Sequence, residues 1–169
     1  MAVITNPALK IFPVVPSDVF GFEVNTDVGY GRDSFELTLG ADQAARVGSV
    51  MVVDHAAGTA TLAAAPANAA AVEALGDLSI FVGRDTTTNP AVAQDFDRLT
   101  AAASGVVVGI SRGDGRGTVA KYYLDFAGTG FYGLPADVQA AIEAKFRLEN
   151  RFKVQDQAVA RDRKSTRLN

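Results

Sequence analysis

The sequence predicts an α+β, β-rich fold: a compact mixed-sheet domain with one short helix, one longer C-terminal helix and an extended N-terminal arm. Three observations carry that expectation. Short apolar runs bounded by glycine or polar turns recur at Phe35–Leu39, Ser49–Val53, Thr59–Leu62, Leu78–Val82 and Val106–Ile110. Only Pro66–Leu75 and Pro135–Asn150 carry the punctuation of helices. Three prolines, Pro7, Pro13 and Pro16, break up the segment 1–27.

Proline fixes its own φ, removes a donor and biases the preceding residue toward an extended shape. No helix is expected within 1–27. Ile11, Phe12, Val14, Val15, Val19, Phe20 and Phe22 are nonetheless too apolar for a permanently wet tail. Two readings stay open. The arm lies across its own domain as an edge strand, or it packs on a partner, with those seven residues as the candidate contacts.

Phe35, Leu37 and Leu39 alternate with Ser34, Glu36 and Thr38, which is the period of a strand with one wet face. Gly40 ends it. Ser49–Val53 and Thr59–Leu62 flank Asp54–Gly58, a hairpin loop. Pro66–Leu75 has proline near its start, alanines inside and Gly76 just beyond, so a short helix is expected. Leu78–Val82 reads as a strand, and the polar stretch Thr86–Arg98 as a surface loop. Val106–Ile110 and Thr118–Phe126 read as a hairpin across Ser111–Gly117, because Asp114-Gly115 is a tight-turn signal. Tyr122, Leu124 and Phe126 would then share one strand face. In Pro135–Asn150, Val138, Ile142 and Phe146 recur at helical spacing, Asp137 sits in the first turn, and Glu143 can pair with Arg147. Arg151–Val154 alternates, and either frays or adds a strand.

The 169 residues suffice for one domain with a real core. Absence of cysteine excludes disulfides and thiolate metal sites. No apolar run is long enough for a membrane helix, and the start lacks a signal-peptide pattern. The final stretch 162–169 (DRKSTRLN) reads as a translated sequencing-adapter oligonucleotide and is set aside. The organisation expected is therefore an arm at 1–27, a β-rich domain at 28–161 and an artefact tail at 162–169. The formal net charge is −3; the tail holds three basic residues and one acid, a surplus of +2, so the remainder carries −5. An acidic chain of this size is a poor candidate for packing against nucleic acid, which rewards clustered Lys and Arg, so no nucleic-acid partner is expected.

Candidate chemistry is sparse. Gly128-Thr129-Gly130-Phe131-Tyr132-Gly133 matches G-x-G-x-x-G between a strand and a helix. Yet Pro135 starts the helix after the third glycine, and Phe131 and Tyr132 would crowd a pyrophosphate. A strand-to-helix connection is the simpler reading. Arg112-Gly113-Asp114 and the glycines to Gly117 read as a solvated turn. His55 is the single imidazole, with Asp54 beside it and no nucleophile indicated. Asp95 and Asp97 read as solvated loop carboxylates. No enzyme, cofactor or metal site is expected.

The order of these parts resembles the lambda-type head decoration proteins of tailed bacteriophages. The resemblance runs from about Gly29 to Asn150. Tyr30-Gly31-Arg32-Asp33-Ser34 resembles the lead-in to that family's first core strand. Arg46-Val47-Gly48-Ser49-Val50-Met51 looks like a strand start of glycine, small, then apolar residues. Ala74-Leu75-Gly76-Asp77-Leu78-Ser79-Ile80-Phe81, then Gly105–Ile110 and the C-terminal helix, follow in the family's order. The resemblance implies a homo-trimer that docks on the outside of the virion capsid after assembly in the host cytoplasm. Its partner would be the major capsid protein, and it would bridge neighbouring capsomers, with the arm ordering against the shell. The chain is longer than lambda's protein, and its arm is more apolar. A tail-tube or fibre-base subunit is the alternative within the same class; a small dinucleotide-binding enzyme built on Gly128–Gly133 is the alternative outside it.

Overall fold

A computed structural model describes residues 16–22, 32–84, 98–100, 107–111, 117–149 and 152–156. In chain order these form α1 (Pro16–Val19), β1 (Phe20–Phe22), β2 (Arg32–Thr38), β3 (Ala44–Arg46), β4 (Val50–Asp54) and β5 (Thr59–Leu62). Then come α2 (Ala69–Glu73), β6 (Asp77–Arg84), β7 (Arg98–Thr100), β8 (Val107–Ser111), β9 (Gly117–Ala120), β10 (Asp125–Phe126), β11 (Thr129–Gly130), α3 (Ala136–Leu148) and β12 (Phe152–Gln155). The fold is α+β and rich in β.

A closed barrel in the order β2-β5-β4-β6-β8 forms its centre, with β8 returning to β2. Four of its ladders are antiparallel; β2 and β5 close the ring in parallel, with Leu37 opposite Ala60. A small barrel has room only for side chains. Phe35 and Leu37 from β2, Met51 and Val53 from β4, Ala60 and Leu62 from β5 and Phe81 from β6 form one buried cluster. The outer face of β2 is wet, which is why its sequence alternates. The strands β4 and β6 are buried on both faces, so their apolar residues do not alternate: Val50–Val53 is continuous, and β6 is broken only by the buried Ser79 between Leu78 and Ile80. Val50, Leu78, Ile80 and Val82 join a second cluster with Val72 of α2 and with Val138, Ile142 and Phe146 of α3. A bulge in β6, between Phe81 and Gly83, admits φ 122° at Gly83 and bends the strand around the ring.

The hairpin at Asp54–Gly58 is present, with Asp54 opposite Thr59. Asp54 Oδ1 accepts from the N–H groups of Ala56 and Ala57, both at 2.9 Å, which fixes the turn. The expected hairpin across Ser111–Gly117 is not formed. The strand β8 lies between β2 and β6 in the barrel, whereas β9 belongs to a separate sheet with β1 and β12. A turn signal speaks only to chain reversal; a strand's partner is set by which faces need covering. The second run also stops early. Lys121–Tyr123 is a 3-10 turn, so Tyr122 is 72% exposed while Leu124 and Phe126 are fully buried.

Three further expectations change. Pro16–Val19 is a single helical turn, although no helix was expected there; proline is compatible with a helix's first position, where its missing N–H has no partner anyway. The short helix starts at Ala69 rather than near Pro66, because Asn68 Oδ1 accepts from Ala71 N–H at 2.9 Å and caps it. In α3, Glu143 pairs with Lys121 rather than with Arg147. The buried stripe Val138, Ile142 and Phe146 is as expected. The segment beyond Asn150 resolves into β12, a strand. Thr86–Asp97, Asp114-Gly115 and the tail 162–169 lie outside the described residues.

Candidate functional site

Of the N-terminal candidates, Val19, Phe20 and Phe22 meet the domain at or beside the sheet β1-β9-β12. Strand β9 is central. Phe20 pairs with Val119 and Phe22 with Thr118 antiparallel, while Phe152–Gln155 runs parallel to Gly117–Ala120. Val19 is wholly buried and Phe20 nearly so. The Phe20 ring lies 5.8 Å from Phe152, which in turn meets Phe146 of α3 edge-on at 5.7 Å. Val19 and Phe20 therefore belong to the domain's own core, which is the first of the two readings of the arm for these residues. The folded unit includes 16–22, which sequence reasoning had placed in the arm. Phe22 joins the sheet through its backbone. Ile11, Phe12, Val14 and Val15 lie outside the described residues.

Beside this sheet stands an ionic network that the sequence did not suggest. Lys121 Nζ lies 2.7 Å from Glu143 Oε1 and 3.1 Å from Asp156 Oδ1. The Tyr132 hydroxyl donates to the same Asp156 oxygen at 3.2 Å. The ammonium also sits 5.7 Å from the centre of the buried Phe131 ring. The hydrogen bond to Glu143 leads in raising the Lys121 pKa above its ordinary value, against the opposing effect of burial. Lys121 in turn holds the Asp156 carboxyl below the usual carboxylate range, helped by Tyr132. Burial, then the bond to Asp156, pushes the Tyr132 phenol up. A four-element tie results: the turn at Lys121, the turn at Tyr132, helix α3 and the end of β12. Ion pairs between residues this far apart in the chain leave no spacing signal, so sequence reasoning had nothing to find. Tyr122 and Tyr132 stay exposed on the two adjoining 3-10 turns, Lys121–Tyr123 and Phe131–Gly133.

The glycine motif does not build a phosphate cradle. Ala127 and Gly128, at φ 49° and 95°, form the tight turn between β10 and β11. Phe131 is buried, and α3 begins only at Ala136, behind Pro135. His55 is not idle. Its Nε2 lies 2.6 Å from Asp77 Oδ2, and its ring meets Phe35 edge-on at 5.4 Å. That pair ties the β4–β5 turn to the start of β6; Asp54, the neighbour visible in the sequence, caps the turn instead. Among the described residues no group of His, Cys, Asp or Glu could hold a metal ion, and no helix is long and apolar enough to cross a membrane. No protein-family model, curated protein or solved structure matches this chain.

Proposed function

We propose that this protein is a virion structural protein that decorates and stabilises the outer surface of a phage capsid by bridging capsomers. Its partner would be the major capsid protein, its assembled form a homo-trimer, and its role structural rather than catalytic. The observation that carries this reading is how the arm is moored. Val19 and Phe20 are buried in the core and Phe22 is in a ladder, so Ile11, Phe12, Val14 and Val15 directly precede a segment moored on the domain. An apolar segment tethered in this way can add to an exposed sheet edge of a partner, with main-chain bonds for affinity and alternate side chains for register. Tethering also reduces the ordering cost that a free peptide would meet. The acidic balance and the resemblance in element order support the same reading.

Co-sedimentation with expanded, undecorated capsids tests it. Full-length protein should pellet with the shells, and a variant lacking residues 1–15 should remain folded but stay in the supernatant. Failure of the full-length protein to bind any shell would refute the proposal.

A further inference from the structure

We infer that the C-terminal strand β12 locks the segment 16–22 onto the domain, so that these two segments release together while the barrel stays closed. The inference holds whatever the arm binds. Strand β1 has three residues and an irregular ladder to β9, too little to hold itself. Its buried aromatic side chain, Phe20, rests on Phe152 at the head of β12. Phe152 connects onward to Phe146, so it carries the contact between the N-terminal segment and α3. Strand β12 is held from both ends. Phe152 packs at one end; at the other, Asp156 is tied to Lys121 and Tyr132.

Among the described residues, the sheet β1-β9-β12 shares no ladder with the barrel. Strands β1 and β12 meet the barrel through the side chains of one shared buried cluster, whereas the backbone bond from Asp125 to Gly48 lies beyond β9. Units joined by a ladder open together, whereas units joined only by packing can open separately. The strands β1 and β12 flank one four-residue strand and share one aromatic contact, so loosening either uncovers the other. Coupling of this kind is reciprocal. Lys121 is thus a positioning residue for the N-terminal segment, acting through Asp156 and β12.

Hydrogen exchange on the full-length chain tests the lock. Asp156→Ala removes the acceptor for both Lys121 and Tyr132. Exchange at the amides of 153–155 should rise about two- to fivefold, and at 18–22 by the same factor, while 50–62 in the barrel is unchanged. The reverse variant, Phe20→Leu, keeps the site apolar and should raise exchange at 153–155 as well as at 18–22. A rise confined to 153–155 in the first variant would overturn the inference. So would an equal rise in the barrel, which would make the whole domain one opening unit, or no rise in either segment.

Discussion

Gly48 faces the backbone of Tyr123 so closely that a Cβ on it would lie 2.4 Å from the Tyr123 carbonyl oxygen. The same residue has φ 98°, donates its N–H to Phe81 of the barrel at 2.9 Å and accepts from Asp125 N–H at 3.3 Å. The next residue, Ser49, is fully buried, and its Oγ accepts from Arg46 N–H at 2.9 Å. This is the joint between the barrel and the segment leading to α3. Both φ and the close approach demand glycine. Gly48→Ala should therefore lower stability by at least about 2 kcal/mol, read from urea midpoints with an unchanged m-value. A loss below half of that would mean that the backbone at Tyr123 yields readily.

Ala127 presents the opposite case. It occupies φ 49° at the first central position of a two-residue turn, where a side chain other than Asn or Gly is strained. Ala127→Asn places the preferred Asn-Gly pair in the β10–β11 turn and should stabilise by roughly 0.5–1 kcal/mol. Thermal unfolding of the two proteins side by side checks this.

The N-terminal segment divides at Pro16. Removing residues 1–15 should leave the melting temperature close to that of the full chain, whereas removing 1–27 should lower it sharply, because Val19 and Phe20 leave the core with it. Phe20→Asp should reproduce the larger loss, at least about 3 kcal/mol, since it deletes a buried ring and inserts an unpaired charge. Circular-dichroism melts distinguish the cases. Equal melting temperatures for the two deletions would show that 16–22 adds nothing to stability.

The tie at Lys121 has a defined response to pH. The Asp156 pKa is depressed in the folded protein, so its contribution is present above the unfolded value and fades as pH falls through the folded one. The Lys121 pKa is raised, so its contribution is complete below the unfolded value and fades as pH climbs through the folded one. The tie therefore holds throughout the neutral range. Asp156→Asn should melt below wild type at neutral pH, and the difference should vanish in strong acid. Differential scanning fluorimetry across pH measures it; a gap that persists in acid would assign the effect to something other than charge.

The parts of this fold legible in the sequence are those governed by local periodicity. Alternation marked Phe35–Leu39, helical spacing marked Val138, Ile142 and Phe146, and Asp54–Gly58 marked a hairpin. What stayed hidden depends on partners far along the chain. Nothing near Val107 or Gly117 tells that one joins the barrel and the other pairs with Phe152. The same holds at the candidate site. The apolar character of Val19 and Phe20 announced that they must be buried, but whether on their own domain or on another depends on Phe152 and Val119 being waiting for them. Lys121, Asp156 and His55 with Asp77 were ordinary polar residues until the chain brought them together.

Closure of the barrel has a consequence for how the chain must be made. Strand β8 is the last of the ring to be synthesised, yet both β2 and β6 depend on it for a neighbour. Until Ser111 has left the ribosome, each of those two strands presents a bare row of peptide groups, the kind of edge on which other chains aggregate. The hazard ends abruptly once β8 slots in. Fragments ending before Val107 should accumulate as insoluble material, and slow passage through the segment 85–106 would prolong a stage at which the nascent protein is vulnerable.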